Sequence, residues 1–203
     1  MASGRFPVAS PFTIESSRQL TVLRLRSNDN TNRLTLETIH TLTREIAALA
    51  QTDQPVPLVI TGNAHFFSAG ADLREIAPLT GPAALKFAKA GQRLMHTVAN
   101  FPAPTFAAIE GYCMGGGLDL ALACHRRVCA PNAVFGHRGA ALGLMTGWGG
   151  TQRLPRIVGK GRAMQMFVAA EKVNAQQAWA AGLVEAVADD PVTYITDSLL
   201  GSL

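Results

Sequence analysis

Two glycine-flanked turns are the features of this sequence that point most directly to chemistry. The first is Ser68-Ala69-Gly70-Ala71-Asp72, and the second is Gly111-Tyr112-Cys113-Met114-Gly115-Gly116-Gly117. Each turn follows an extended apolar run and leads into a helical pattern, so backbone N–H groups are left unpaired where the helix begins. Two such turns can aim two N–H groups at one carbonyl oxygen and stabilise it as it gains negative charge. The pattern predicts chemistry on a thioester-like carbonyl and leaves the reaction open.

The run of three glycines in the second turn has two interpretations. Glycines allow a ligand to approach the backbone closely, and the helix dipole that follows favours negative charge there. Tight packing of a helix on a strand explains the same run equally well. The first turn favours the functional interpretation, because two such turns in order are more specific than one. Ser68 lies beside a turn, but no histidine and acid are placed recognisably for a triad, and a serine protease is excluded.

The elements that must position these turns are those of one α/β domain with parallel strand pairing. Short apolar runs predict strands at 20–26, 57–61, 105–109, 127–130 and 183–187. Apolar residues spaced by three and four predict helices from Leu36, Pro82 and Leu118, then at 151–157, 162–170 and 175–181, with a weak one from Pro191. Asn174 is expected to cap the helix at 175–181. The helix from Pro82 is expected to bury Leu85, Phe87, Leu94, Met95 and Val98.

Composition narrows the class of protein. The chain has 203 residues, 48% apolar and 16% charged, which is typical of a single globular enzyme domain and argues against disorder. No apolar run reaches the ~18 residues of a membrane-spanning helix, and the N-terminus lacks a secretory pattern. We therefore expect a loose segment at 1–19, a single domain at 20–203 and a cytoplasmic location. Cys113, Cys124 and Cys129 lack metal or redox spacing and are expected to be buried free thiols.

Positive charge is concentrated in the second half of the chain. The net charge is +4, and no Asp or Glu occurs from Leu120 to Ala170. Such a patch suits a phosphorylated ligand or a nucleic acid, and it equally suits scattered surface cations that pair with acids elsewhere in the fold. The basic residues in this stretch are Arg126, Arg127, Arg138, Arg153, Arg156, Lys160 and Arg162.

Three longer motifs resemble those of the crotonase family, the enoyl-CoA hydratase/isomerase superfamily. They are His65-Phe66-Phe67-Ser68-Ala69-Gly70-Ala71-Asp72-Leu73, then 108–121 around the second turn, then 147–156 with Gly147-Trp148-Gly149-Gly150-Thr151-Gln152-Arg153-Leu154-Pro155-Arg156. The ending Ala181-Gly182-Leu183-Val184 is also similar, so the resemblance spans about 20–187. It implies a crotonase (ClpP-like) α/β fold, a β-β-α spiral of stacked sheets surrounded by helices.

The resemblance also implies a site. The oxyanion donors are the N–H groups of Ala71 and Gly116, and Asp119 is the acid–base candidate. The ligand is an acyl-CoA whose adenine end lies near the first turn, so coenzyme A enters as part of the substrate and no cofactor stays permanently bound. No metal is expected, since His40, His65, His96 and His125 lack ligand spacing. The residues expected to bind substrate are Ala69, Asp72, Leu73, Arg74, Gly115, Gly139, Met145 and Trp148.

The sequence departs from the hydratase pattern at both catalytic carboxylates. Asp119 stands at the first glutamate position with a shorter side chain, and Gly139 stands at the second with none. Three interpretations stay open. A single acid, Asp119, shuttles a proton as in isomerisation; bound water, a small anion or His137 acts at the empty position; or the chain binds acyl-CoA without turnover. For His137 itself, packing or a surface role is the favoured expectation.

The functional hypothesis is an acyl-CoA thioester enzyme of the hydratase/isomerase type, with isomerase or atypical hydratase chemistry. The alternatives are a non-catalytic acyl-CoA-binding homologue and, as a minor one, an RNA-binding member of the superfamily. Resemblance further implies a homotrimer or a dimer of trimers. The chain ends soon after Val187, and the expectation is a domain without most of the family's C-terminal helices.

Overall fold

Between residues 10 and 201, which are those described, the computed structural model contains twelve strands in three sheets. The helices are α1 Leu36–Leu49, α2 Leu73–Ile76, α3 Gly81–Ala99, α4 Gly116–Ala123, α5 Gly150–Val158, α6 Lys160–Val168, α7 Ala175–Ala180 and α8 Pro191–Tyr194, with a 3-10 turn at Arg138–Leu142 and a π-helical turn at Ile195–Leu200. The strands are β1 Phe12–Ser16, β2 Thr21–Leu25, β3 Arg33–Leu34, β4 Leu58–Thr61, β5 Phe66–Ser68, β6 Gly70–Ala71, β7 Thr105–Ile109, β8 Tyr112–Met114, β9 Arg126–Cys129, β10 Val134–Gly136, β11 Val173–Asn174 and β12 Ala186–Val187.

The largest sheet has six strands in the order β1-β2-β4-β7-β9-β12. The pairs from β2 to β12 are parallel, as the alternation of strands and helices predicts, and only β1 pairs antiparallel with β2 at its edge. A second sheet has the order β11-β10-β8-β5, and β3 pairs with β6 in a third. The second sheet contains the short strand that follows each of β4, β7 and β9 along the chain.

The chain repeats one unit, in which a strand of the large sheet is followed by a short strand of a smaller sheet and then by helix. β4-β5 leads to α2 and α3, β7-β8 leads to α4, and β9-β10 leads to α5 and α6. Each short strand turns the chain away from the large sheet before the helix begins. This repetition is the β-β-α spiral that the resemblance implies, and the predicted fold is confirmed.

Burial and capping explain why the helices form where they do. Thr35 caps α1 by accepting a hydrogen bond from Thr38 N at 3.1 Å, and α1 packs Ile39, Leu42 and Ile46 into the core. Asn174 forms a capping box with Gln177 at the start of α7, which confirms the predicted cap. The other face of the large sheet is also covered, because Ile195 packs against its residues Val59, Phe106, Ala108 and Val128.

Several local predictions are wrong. Phe12–Ser16 lies in the segment expected to be loose, yet it forms β1, because its backbone completes the edge of the large sheet against Thr21–Leu25. Residues 1–9 of that segment lie outside the described residues. Leu85 in α3 is 56% exposed rather than buried, and only Ala186–Val187 of the strand predicted at 183–187 pairs with β9. Leu183 and Val184 are nevertheless buried, in the turn before it.

The cysteines, and three residues of the basic stretch, follow the less specific of the interpretations offered for them. Cys113, Cys124 and Cys129 are free and buried. Arg126 pairs with Glu185 and Arg162 with Glu171, each at 2.7 Å, while the guanidinium of Arg127 donates to backbone carbonyls. These cations are thus balanced by acids or carbonyls from other elements. Of the helices in the described part of the chain, none is long and apolar enough to cross a membrane.

Candidate active site

The two glycine-flanked turns come into direct contact. A Cβ added to Gly70 in the first turn would lie 2.9 Å from the backbone nitrogen of Gly116 in the second. A Cβ added to Gly117 would lie 2.6 Å from the carbonyl oxygen of Ser68. Real side chains never approach so closely, so the start of α4 can rest on the first turn only because both positions are glycine.

Both turns leave backbone N–H groups directed away from their own secondary structure. In the β3–β6 ladder Asp72 N donates to Leu34 O at 3.4 Å, and alternate residues of a parallel strand face opposite ways. The Ala71 N–H, one residue earlier, therefore points to the side away from β3. Gly116 is the first residue of α4, where an N–H has no intrahelical acceptor. The left-handed φ of 52° at Gly115 makes the sharp entry into this helix.

Ser68 holds the first turn in shape. Its hydroxyl is fully buried, donates to Asn32 O at 2.7 Å and accepts from Gly70 N at 3.1 Å. One bond lies within the turn and the other ties the turn to Asn32, far away in the sequence, so this serine supports the turn.

A cavity of about 350 Å³ opens beside the two turns. Its walls come from the first turn, α2, α3, the start of α4 and the segment at 137–148. Most of these wall residues are apolar. Nine residues predicted for the site line it, namely Ala69, Ala71, Leu73, Gly115, Gly116, Asp119, Gly139, Met145 and Trp148.

Asp119 is the buried acid of this cavity. Its side chain is 1% exposed, and its Oδ2 accepts a hydrogen bond from the Thr146 hydroxyl. Burial raises the pKa of Asp119 to about 7, although the Thr146 hydrogen bond and the charge of Arg153 act to lower it. A carboxyl with such a pKa can both take up and release a proton near neutral pH.

His137 lies against Asp119. Its Nε2 is 3.5 Å from Asp119 Oδ1, its side chain is 4% exposed, and its ring packs on Phe167 with centroids 5.2 Å apart. Burial lowers the pKa of His137 to about 4, so the imidazole is neutral at pH 7. His137 therefore has the packing role that the sequence favours, on Phe167, but the expectation that it points away from the site is wrong, because it lies beside the acid in the wall of the cavity.

Gly150 makes room for this pair. A Cβ at Gly150 would lie 2.2 Å from Asp119 Oδ1 and 2.9 Å from His137 Nε2. Glycine at the start of α5 thus lets the acid and the imidazole meet below the helix.

Gly139 lines the cavity but has no room for a side chain. A Cβ there would lie 2.7 Å from Leu144 O, because the backbone of 138–144 folds back on itself and Leu144 N donates to Gly139 O at 2.8 Å. A carboxylate at this position would require a different course for that loop.

Trp148 fills the end of the cavity beside the turns. Its indole is 5% exposed and packs on Phe87 with ring centroids 5.4 Å apart. Added Cβ atoms at Gly91 and Gly116 would each lie 2.2 Å from the indole ring, so it fits only because α3 and α4 carry glycine there. Met145, in contrast, is 60% exposed at the rim.

Asp72 and Arg74 lie outside this cavity, in a neighbouring groove of about 650 Å³. Asp72 caps α2 by accepting from Arg74 N at 3.0 Å, and its Oδ2 pairs with the Arg74 guanidinium at 2.5 Å. Arg26, Arg33 and Arg44 also line this groove together with Asp29 and Glu37, so it is the charged neighbour of the apolar cavity.

Comparison with known proteins places this arrangement in a family. The sequence profile of the family described as "Enoyl-CoA hydratase/isomerase" matches residues 15–197. The chain belongs to the enoyl-CoA hydratase/isomerase family. Within the part of the chain that the structure describes, no group of three His, Cys, Asp or Glu side chains could hold a metal ion.

Two curated members of the family give the extent of the similarity. A Bacillus subtilis (strain 168) protein named "Probable enoyl-CoA hydratase" is 42% identical over 147 residues, which are 71% of this chain and 57% of that protein. The "Crotonyl-CoA hydratase" of Syntrophomonas wolfei is 35% identical over 175 residues, 86% of this chain and 67% of that protein. The chain thus spans between about half and two thirds of the length of these relatives.

Solved structures of other proteins share the fold. Pseudomonas aeruginosa DspI matches with a TM-score of 0.89 and 31% identity, covering 100% of this chain and 84% of DspI. The enoyl-CoA hydratase from Bacillus anthracis matches with a TM-score of 0.86 and 30% identity, covering 95% of this chain and 74% of that one.

The sequence did not single out Thr146 and Gly150 as parts of the family site. Thr146 donates to Asp119, and Gly150 covers the acid and the imidazole. Period-two alternation from the buried Phe135 on β10 could have indicated that His137 faces the same side.

Proposed function

We propose that this chain catalyses the addition of water to a 2-enoyl-CoA, with Asp119 as its proton-transfer group. The single observation that carries the proposal is the position of this buried carboxyl in the same cavity as Ala71 and Gly116. The names of the two curated relatives support hydration as the reaction. Coenzyme A belongs to the substrate in this proposal and is not a resident cofactor.

The Ala71 and Gly116 N–H groups are proposed to bind the thioester oxygen. When water adds at C3, the C2=C3 electrons move toward the thioester and its oxygen gains negative charge. Two fixed N–H groups in an apolar, water-poor cavity stabilise that charge more than water does, and one such donor is commonly worth ~10²–10³ in rate. The dipole of α4 adds positive potential at Gly116.

The arginine-lined groove is proposed to take the phosphate end of coenzyme A. It begins at Asp72, the residue directly after the Ala71 donor, so a ligand held at Ala71 has the groove beside it. The four arginines Arg26, Arg33, Arg44 and Arg74 outnumber the three acids of this lining, Asp29, Glu37 and Asp72, and such an excess of positive charge attracts phosphates.

Isomerisation of a 3-enoyl-CoA is the second candidate. It is favoured by the single carboxyl at Asp119 together with the absence of a side chain at Gly139, since one acid suffices to take a proton from C2 and return it at C4. Binding of acyl-CoA without turnover is the remaining alternative from another class.

Assays of crotonyl-CoA hydration and of 3-hexenoyl-CoA isomerisation test the proposal. We expect hydration to exceed isomerisation. Isomerisation alone would make the second candidate correct, and tight binding of both thioesters with no product from either would establish a binding protein. A homotrimer or a dimer of trimers and a cytoplasmic location stay predictions; sedimentation equilibrium measures the first and cell fractionation the second.

A further inference from the structure

A half-buried arginine, Arg153, holds the turn that leads into α5. Its Nη1 donates to Trp148 O at 3.2 Å, and its Nη2 lies 3.5 Å from Met95 O on α3. A Cβ added to Gly149 would lie 2.2 Å from Nη1, so the guanidinium packs directly on the backbone of this turn. Arg153 therefore ties the turn formed by Trp148, Gly149 and Gly150, the 148–150 turn, to α3.

The same turn faces Asp119 with its N–H groups. Burial raises the pKa of Asp119, and backbone hydrogen bonds from Gly150 and Trp148 to the carboxylate act to lower it. Trp148 thus gives its N–H to the acid and its carbonyl to Arg153. Because donors stabilise a negative charge best when they are held in position beforehand, a group that fixes the turn also acts on Asp119.

The charge of Arg153 reaches Asp119 as well. Within residues 10–201 no carboxylate forms an ion pair with Arg153, and Asp119 is the acid whose charge acts on the guanidinium. An arginine stays protonated near neutral pH, so it favours a negative charge on a neighbouring carboxyl. This one residue thus supports the ionised Asp119 in two ways, through the N–H groups of the turn and through its own charge.

We propose that Arg153 is a positioning residue, which fixes the 148–150 turn against Asp119 and keeps this carboxyl in the ionised form that accepts a proton. The inference rests on the proposed function, in which Asp119 transfers the proton, and adds to it the group that prepares the acid. Arg153 is not among the residues that line the cavity, so it acts through Asp119 and the turn. Its own proton stays on the guanidinium throughout.

The other ionisable groups around Asp119 are neutral, paired or exposed. His137 Nε2 lies 3.5 Å from Oδ1, and burial lowers the pKa of this imidazole to about 4, so it is neutral at pH 7. Burial raises the pKa of Cys113 on β8 well above its usual value, so this thiol is also neutral. Arg33 on β3 pairs with Asp29. The ionisable side chains of α3 are exposed, namely Lys86, Lys89, Arg93 and His96. The arginine of α5 is therefore the charged group whose removal should move the titration of the acid.

Substitutions at position 153 separate this role from packing. Arg153→Met keeps most of the length of the side chain but loses its charge and its donors, whereas Arg153→Lys keeps the charge. Each variant is assayed from about pH 6 to about pH 9 for exchange of the C2 hydrogens of butanoyl-CoA with D2O, a reaction that needs the Asp119 base. Crotonyl-CoA hydration is measured beside it. Arg156→Met is the matched control, because Arg156 is an exposed cation further along α5 that donates to Gln152 O of its own helix.

We expect Arg153→Met to raise the apparent pKa of exchange by ~1–2 units from the wild-type value of about 7. Exchange should therefore fall about fivefold or more at pH 7 and return to within about threefold of the wild type near pH 9. Arg153→Lys should keep the apparent pKa within about half a unit of the wild type, and Arg156→Met should leave the whole profile unchanged.

A loss of equal size at every pH, with an unshifted profile, would mean that Arg153 only packs and would overturn its role. An equal shift in Arg153→Lys or in Arg156→Met would overturn it too. If Arg153→Met does not fold, Arg153→Gln, which keeps an amide donor for the turn, is measured in its place with the same criterion. A wild type that exchanges without hydrating refutes hydration, and the exchange profile still decides the role of Arg153. A wild type that does neither refutes the proposed function and the inference with it.

Discussion

Ionisable side chains are buried in the Asp119 cavity, whereas in the arginine groove beside it they are exposed or paired. In the cavity one carboxyl and one imidazole are almost completely buried, and burial shifts the pKa of each toward its neutral form. In the groove Arg74 is exposed and paired with Asp72, and hydrogen bonding to Arg74 holds the pKa of Asp72 below its usual value. Burial thus makes Asp119 reactive near pH 7, while exposure leaves the groove suited to binding.

The largest expected effect is the loss of the buried acid. Asp119→Asn keeps the size of the side chain and its contact with Thr146 but removes proton transfer. We expect crotonyl-CoA hydration to fall by ~10²–10⁴, with butanoyl-CoA binding retained, in steady-state kinetics and calorimetry. An unchanged rate would mean that Asp119 is only a structural acid at the start of α4.

A smaller loss is expected from crowding the acid without changing it. Gly150→Ala places a methyl group against Asp119 Oδ1 and His137 Nε2, so hydration should fall by ~10²-fold, as for a misplaced catalytic group. Gly161→Ala is the matched control in the next helix, because no atom lies within 4 Å of its added Cβ. The control should raise stability by ~0.5–1 kcal/mol and leave the rate unchanged. Equal activity of Gly150→Ala and Gly161→Ala would show that a methyl group at position 150 does not disturb the acid.

Trp148 should set the length of acyl chain that the cavity accepts. Trp148→Ala empties the space between Gly91 and Gly116, so kcat/KM for 2-octenoyl-CoA should rise about tenfold relative to crotonyl-CoA. The same change should cost ~3–5 kcal/mol of stability in urea unfolding. Trp179, the other tryptophan, is 55% exposed, and Trp179→Ala should leave the preference unchanged. If Trp148→Ala has the same preference between the two thioesters as the wild type, the acyl chain does not lie against Trp148.

The pH dependence of stability should reveal the buried acid. The pKa of Asp119 is raised in the folded state, so its favourable contribution is present below pH ~4 and is lost as pH rises to about 7. Asp119→Asn is neutral throughout and should become more stable relative to the wild type between pH 4 and 8, in urea unfolding. His137 contacts Asp119 and has a pKa lowered to about 4, so the difference is read from pH 5 upward, where the imidazole of the wild type is neutral. A constant difference across this range would mean that the pKa of Asp119 is not raised.

The smallest effect is expected in the groove. Arg74→Gln should raise KM for crotonyl-CoA by about two- to fivefold, leave kcat unchanged and weaken the dependence of KM on salt, since Arg74 is an exposed cation. A fall in kcat instead would show that the groove takes part in the chemistry.

The sequence predicted the long elements of the fold better than the short ones. Helix α3 and strands β4 and β7 have strong apolar patterns, and they occur where these patterns place them. The strands β5, β8 and β10 of the second sheet have three residues each, too few for periodicity to mark. Strand β1 was missed because its pairing depends on an edge that forms only in the folded sheet.

His137 shows why the site could not be read completely. Alignment by motif directs attention to Gly139, two residues later. In the fold, a tight turn begins at Arg138, and Leu144 O occupies the place of a side chain at Gly139. His137 then takes the inward position beside Asp119. Whether residue 137 or residue 139 faces Asp119 depends on the path of this loop, which residue types and spacing do not specify.

Exchange of the C2 hydrogens of butanoyl-CoA in D2O, followed by proton NMR, tests the central claim most directly. The account predicts exchange by the wild type, rising in rate with pH through an apparent pKa near 7, and its loss by a factor of ~10² or more in Asp119→Asn. Exchange that proceeds equally well without the Asp119 carboxyl, or none at all from a wild type that binds the thioester, would contradict it.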